Sequence, residues 1–154
     1  MKITIVAVGR LGRAPEAALA RDYAERATAS GRALGLSPVE IVEVEARKPG
    51  KAAEAEALAS HLGGGHLIAC DEHGRALTSR AFADRIARLR DDGCRQLTLI
   101  IGGADGLEAS VLGQAQETLA FGVQTWPHAL VRTMLAEQVY RAVTILAGSP
   151  YHRD

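Results

Sequence analysis

Apolar residues open the chain on both alternating faces: Ile3, Ile5 and Ala7 on one, Val6 and Val8 on the other. A strand covered on both sides of a sheet has this pattern, and Gly9 ends it. From Pro15, suited to a first helical turn, PEAALARDYAERATAS reads as a helix with Leu19 and Tyr23 four apart, stopping before Gly31. VEIVEVE sets Val39, Ile41 and Val42 against Glu40, Glu43 and Glu45, a strand near an edge or with one wet face. After the basic loop Arg47, Lys48, Pro49, Gly50, Lys51, an Ala- and Glu-rich helix runs to about Leu62 and is closed by Gly63, Gly64 and Gly65. HLIACD is a third strand. Thr78 caps a helix with Phe82, Ile86 and Leu89 on one side and Arg80, Arg85, Arg88 and Arg90 in solvent, and Gly93 follows its end. QLTLII, a fourth strand, runs into Gly102 and Gly103. A short helix around Leu107 to Leu119, a fifth strand near Val123 to Trp126 and a long helix from about Ala129 to Leu146 complete the pattern. Strands alternating with helices predict an α/β fold around a mostly parallel sheet.

A length of 154 residues fits one domain, 1–154, because one core spans it and two would each be small. With 47% apolar and 23% charged residues and five prolines, neither disorder nor a fibre is expected. No run approaches the ~18 uninterrupted apolar residues of a membrane span, and no small-residue cleavage site follows MKITIVAVGR. The expectation is a soluble, cytoplasmic protein with no membrane partner. Eighteen Lys and Arg balance eighteen Asp and Glu, which excludes the overall field of a nucleic-acid-coating protein and confines any RNA site to a local patch. Cys70 and Cys94 form no CxxC pair and read as reduced, small apolar residues.

Parallel sheets bind ligands beyond the carboxyl ends of their strands, so the loops after Val8, Cys70 and Ile101 are the first places to look. The first, Gly9-Arg10-Leu11-Gly12-Arg13, lacks the G-x-G-x-x-G fingerprint, which disfavours a nicotinamide site although Glu45 ends the second strand where a ribose-binding acid would stand. The loop after Ile101 carries Gly102, Gly103 and Gly106, which let main-chain groups come close to a flat ligand. The segment Phe121 to His128 breaks at Pro127, leaving exposed main-chain acceptors. His66, Cys70, Asp71 and His73 do not suit a metal, because a strand turns 66, 68 and 70 to one face and 71 to the other. No metal is expected.

The last helix carries the charged residues Arg132, Glu137 and Arg141 within a mostly apolar run of Leu130, Val131, Met134, Leu135, Val139, Tyr140, Val143, Ile145 and Leu146. A helix apolar on nearly every side must be buried on nearly every side, most readily against a second copy, so a homodimer is expected. Glu137 and Arg141, four apart, form at least a surface pair. The closing Ser149, Pro150, Tyr151, His152, Arg153 and Asp154 form either a frayed end or an arm toward substrate. In an arm, Tyr stacks on a base, His handles a proton and Arg pairs with phosphate or a carbonyl.

LIIGGADGL, the stretch TWPHALVR from Thr125 to Arg132, AEQVYRA and the closing PYHRD, with the opening VAVG, occur in one order along the whole chain. Together they resemble the RlmH family of ribosomal large-subunit pseudouridine N3-methyltransferases, small members of the SPOUT superfamily. The chain departs in two places: IGGADG stands where a proline and glutamate more commonly follow the glycines, and PHA replaces PHP after Trp126.

The resemblance implies a SPOUT-type α/β knot, with the C-terminal part threaded into a trefoil, against the usual rule that chains are unknotted. It implies S-adenosylmethionine bound by Cys70, Gly103, Gly122, Val123, Gln124, Thr125, Trp126 and Pro127, with Cys70 at a position where the family commonly has leucine. It further implies methylation of N3 of pseudouridine 1915 in helix 69 of 23S rRNA, on the assembled 70S ribosome. The catalytic set it suggests is Tyr151 for stacking, His152 for the proton, Arg153 for the base or its phosphate and Arg132 as a cation near the ring carbonyls, with His128 a further addition. In a dimer the tail of one chain would complete the pocket of the other. Arg10, Arg13, Arg47, Lys48 and Lys51 stand ready for phosphates. The competing readings are a non-catalytic ribosome-binding factor, which would need a damaged cofactor loop or tail, and a Rossmann-type oxidoreductase.

Overall fold

A computed structural model describes residues 1–153; Asp154, the last residue of the predicted tail and domain, lies outside the described residues. Five parallel strands form one sheet: β1 (Lys2–Val8), β2 (Val39–Val44), β3 (His66–Ala76), β4 (Gln96–Ile101) and β5 (Glu117–Ala120), in the order β2-β1-β4-β3-β5. The helices are α1 (Pro15–Gly31), α2 (Lys51–Leu58), α3 (Ser79–Asp91), α4 (Ala109–Leu112) and α5 (His128–Leu146). The predicted α/β class and parallel sheet are therefore present, and β1 and β4, apolar on both faces, sit centrally with Ile3, Ile5, Val6, Leu97, Leu99 and Ile100 fully buried. β2, with its glutamates, takes one edge, where charge discourages further pairing.

One layer of core joins α1, α3 and α5 to the sheet; a second, smaller one packs Val6, Val8, Leu67 and Ile100 under α2 and α4. The buried stripe of α1 is made of Ala17, Ala20, Ala24, Ala27 and Gly31, small residues that let it lie close to α5. Thr78 caps α3 through its side chain, as expected, by accepting from the Ala81 N–H.

Three element boundaries differ from expectation. β3 does not stop at Asp71: its register against β5 shifts between Cys70 and Arg75, so 71–74 bulge out before Arg75 and Ala76 rejoin Leu119 and Ala120. Gly74 permits this, since a Cβ there would lie 2.7 Å from the Leu119 carbonyl carbon. The helix placed around Leu107 to Leu119 is the single turn Ala109–Leu112, and its far end is strand β5 instead. Residues 123–126 form a loop, not a strand; Gly122, at φ 100°, turns the chain out of the ladder directly after β5.

The long helix finds most of its cover within its own chain. Leu135, Ala136, Val139, Tyr140, Ala142 and Val143 are buried within the one chain, because α5 is packed between α1 and α3 over the sheet. Its apolar character is satisfied without a second copy. Exposed large apolar groups remain at Leu19, Val123, Trp126 and Leu130. Among the described residues, no helix is long and apolar enough to cross a membrane.

Candidate functional site

A groove of about 600 Å³ opens at the carboxyl ends of β3 and β4, within the ~300–1,000 Å³ range of small-ligand sites. Its floor is the glycine loop 102–106. Gly106, at φ 79°, donates its N–H to the Gly103 carbonyl (3.1 Å), and a Cβ on Gly102 would lie 2.8 Å from the Gly106 carbonyl carbon, so the turn closes only without side chains. The walls are Cys70 and the bulge Asp71-Glu72-His73 on one side, Leu119 to Gly122 behind, and Gln124, Thr125, Trp126, His128 and Val131 opposite. The loop after β5 is pinned at two points: the Trp126 indole N–H donates to the Phe121 carbonyl (3.1 Å) and the Thr125 hydroxyl to Glu72 Oε2 (3.1 Å).

Of the eight residues expected to hold a cofactor, six line this groove: Cys70, Gly103, Gly122, Gln124, Thr125 and Trp126. Val123 is 99% exposed and Pro127 ends the loop at the start of α5; neither is part of the lining. Burial pushes the Cys70 thiol up to about 12, with Asp71 adding to the effect, so the group is a protonated apolar wall.

The tail lies elsewhere. The Tyr151 hydroxyl donates to Glu137 Oε1 (3.0 Å), and its ring meets Tyr140 edge-on at 4.7 Å. Arg141 donates through Nε and Nη2 to the same Glu137 oxygen (3.0 and 2.6 Å) and stands 4.9 Å from the Tyr151 ring centre. Arg26 from α1 adds a second guanidinium over Tyr140 at 4.3 Å. Burial, then hydrogen bonding to Tyr23 and Glu137, hold the Tyr151 hydroxyl above its ordinary value, and the Glu137 bond raises Arg141. Arg141 Nη1 also meets His152 Nδ1 at 3.2 Å. A guanidinium only donates, so Nδ1 accepts and the proton of a neutral His152 sits on Nε2. Glu137 and Arg141, expected as at least a surface pair, are thus a half-buried clamp on the tail. Arg153 is exposed.

Arg132 does not reach the groove. It is 1% exposed, donating through Nη1 to Glu43 Oε1 (2.5 Å) and through Nη2 to the Val8 and Gly9 carbonyls (3.1 and 3.0 Å), with Nε alone lacking a partner. Burial lowers its pKa, and Glu43 works against that shift. The guanidinium ties α5 to the ends of β1 and β2 and is not part of the groove lining. His128 does line the groove.

The predicted arginine face of α3 is also only partly in solvent. Arg85 pairs with Glu117 (2.6 Å), which also meets His66 Nε2 (2.6 Å), and Arg90 donates to the Leu34 carbonyl. Burial would raise Glu117, but Arg85 and His66 outweigh it and hold the carboxyl below its usual range. This cluster marks the amino ends of β3 and β5, opposite the groove. Arg10, Arg13, Arg47 and Lys48 are exposed on the loops after β1 and β2, at the groove end of the sheet; Arg10 is paired with Glu45 (3.0 Å), and Lys51 lines the groove itself. Among the described residues, no three His, Cys, Asp or Glu side chains are grouped to hold a metal ion.

Sequence reading missed Glu54, the 71–74 bulge and the clamp role of Glu137. The available signal for the clamp was a glutamate and an arginine one turn apart in an apolar helix, followed by a tail of complementary groups. Asp71 to His73 gave none, because the register shift that exposes them depends on β5.

A family model described as a predicted SPOUT methyltransferase matches residues 1–152. A protein of Caulobacter sp. (strain K31) named Ribosomal RNA large subunit methyltransferase H is 73% identical over 154 residues, covering all of both chains. Its namesake from Caulobacter vibrioides is 72% identical over all of this chain and 99% of its own. Among solved structures, a probable methylase family protein from Haemophilus influenzae Rd KW20 superposes with a TM-score of 0.54 at 10% identity, over 99% of this chain and 70% of that one, a likeness of fold alone.

Proposed function

The chain belongs to the SPOUT methyltransferase family, and from that premise we propose that it methylates the ribosomal RNA of the large subunit with S-adenosylmethionine as donor. The observation that carries this is the groove of glycine main chain and apolar wall at the carboxyl ends of β3 and β4. It suits a ligand with a flat adenine ring and a sulfonium-bearing chain, and Asp71, Glu72 and Asp105 in the lining suit its positive charges. Relatives of the same length and more than 70% identity bear an rRNA methyltransferase name. The finer target is N3 of pseudouridine 1915 in helix 69 of 23S rRNA on the 70S ribosome, in the cytoplasm, with the C-terminal segment threaded as a trefoil.

When bound, S-adenosylmethionine supplies an electrophilic methyl on a sulfonium. The protein's part is to hold Gly103, Gly122, Gln124, Thr125 and Trp126 around the donor, to keep water out with Cys70, Leu119 and Val131, and to present the base in line. Val123 and Pro127 complete the loop that carries these contacts. N3 of the base lies between two carbonyls, so donors to those oxygens favour loss of its proton to water. His152 Nε2–H and Arg153 fill that role, with Tyr151 ordering the tail. His128 stands in the groove as a further donor.

Within one chain the tail is clamped at Glu137 and Arg141, while the groove touches α5 at His128 and Val131. At ~1.5 Å per residue these lie roughly 9–20 Å apart along the axis. A homodimer that sets the tail of one chain over the groove of its partner closes this gap, and exposed Leu19, Trp126 and Leu130 supply apolar surface for it. The test is incubation of the purified protein with methyl-labelled S-adenosylmethionine and 70S ribosomes lacking the modification, followed by mass mapping of 23S rRNA. One methyl at the pseudouridine is expected. An unlabelled rRNA, with ribosomes that a related enzyme does methylate, would overturn the proposal.

A further inference from the structure

α2 leans on the glycine loop at two points. Lys51, its first residue, brings Nζ to 4.0 Å from where a Cβ on Gly106 would stand. One turn on, Glu54 accepts from the Gly103 N–H through Oε2 at 3.2 Å, and its carboxylate fills the space a Cβ on Gly103 would need, 2.4 Å from Oε1. The Gly103 carbonyl is already taken by the Gly106 N–H. The N–H of Gly103 is therefore spent inside the protein, and the glycine contributes shape to the groove and no donor. Glu54 is half-buried, held by a helix whose Leu58 is buried in the smaller core and whose backbone is anchored by the Glu54 N–H on the Gly50 carbonyl (3.1 Å). A charged acceptor on a main-chain N–H is the stronger kind of hydrogen bond.

We propose that Glu54 is a positioning residue for the methyl donor: it props the 102–106 loop from behind by holding the Gly103 N–H, so that the floor of the groove is set before the donor arrives. The proposal rests on the groove being the donor site. Glu54 touches neither donor nor RNA in this account, and it works without change of charge or proton.

The experiment compares the full-length protein with Glu54→Ala and Glu54→Gln by calorimetry with S-adenosylmethionine, amide hydrogen exchange of 102–106, and thermal unfolding. Glu54→Ala is expected to weaken donor binding ~10-fold or more and to speed exchange in the loop in the absence of donor. Turnover at saturating donor should be retained, so that KM for the donor rises while kcat holds. Glu54→Gln keeps an oxygen that accepts from the Gly103 N–H and should bind within about twofold of the original. Gly103→Ala displaces only the end of a flexible side chain, so it should fold. Combined with Glu54→Ala it should cost less than the sum of the two single changes. Unchanged exchange and affinity in Glu54→Ala would overturn the role, as would a Gln variant as weak as the Ala one, which would make the carboxylate a direct charge partner of the donor. A wild-type protein with no affinity for the donor would sink the groove assignment instead, leaving the exchange data to report on the prop alone.

Discussion

At the carboxyl ends of β3 and β4 the molecule builds a site from main chain. Gly102 and Gly106 close a turn, Gly122 swings a loop out of the sheet, and the Cys70 thiol in the wall is held protonated, with Asp71, Glu72, His73 and His128 also in the lining. Farther along α5 it builds a second site from side chains, where one glutamate oxygen receives Arg141 and Tyr151 and three aromatic rings share two guanidiniums. The first arrangement is set chiefly by steric exclusion, with the carboxylates of Glu54 and Glu72 pinning its loops, and depends less on pH and salt. The second depends on charge and proton occupancy and responds to both. On the function proposed above, a donor that every turnover must replace would meet the rigid site, and a target base that must be ionised would meet the responsive one.

The largest expected effect tests whether the two sites are separable. Deleting residues 151–154 should lower methyl transfer to ribosomes at least ~100-fold, the scale of losing donors to a developing oxyanion. Donor affinity by calorimetry should stay within about twofold. Parallel loss of donor binding would show that the tail also shapes the groove and would erase the distinction.

A milder change sharpens the same contrast. Glu137→Gln preserves an acceptor for Tyr151 but removes the charge that Arg141 pairs with, and transfer should fall ~10-fold, the weight of one charge-assisted hydrogen bond. The pH dependence has a defined sign. Tyr151 is raised in the folded state, so its contribution to tail docking is complete below its ordinary value near ~10 and is lost as pH rises through the higher folded value. Tyrosine absorbance followed from pH 9 upward should show a late-titrating ring, and that ring should titrate earlier in Glu137→Gln while staying above its ordinary value, because burial and the Tyr23 bond remain. Donor binding should follow neither change.

The same contrast governs what could be read from residues alone. The strands β1 and β4 and the cap at Thr78 are local patterns of period and side chain, and they are where the pattern placed them. The glycine loop was legible because three glycines after an apolar strand have few structural uses. The bulge at 71–74, the early position of β5 and the loop at 123–126 were not, since all three depend on which strand pairs with β3 and in what register. Arg132 misled for a related reason. An arginine in an apolar helix signals an important contact, but only the packing of α5 against the ends of β1 and β2 shows that its partners are Glu43 and two carbonyls, apart from the groove lining.

The smallest expected effect concerns the one groove residue that departs from the leucine common in the family. A thiol is the last group one would place before an electrophilic methyl, because its thiolate is a strong nucleophile. Burial resolves the conflict: with the thiol pushed up to about 12, the thiolate is a trace species at pH 8, where an ordinary thiol at ~8.5 is substantially ionised. Cys70 then behaves as the apolar wall that leucine would be. Intact mass after prolonged incubation with S-adenosylmethionine should show no methyl at Cys70, and iodoacetamide at pH 8 should reach it only in unfolded protein. Cys70→Ala should shift donor affinity by no more than about fourfold, as expected for removing a single apolar contact of ~0.8 kcal/mol at the groove wall. Methylation or ready alkylation of Cys70 in the folded protein would mean that water and base reach the wall, and that the main-chain site is less closed than its glycines make it.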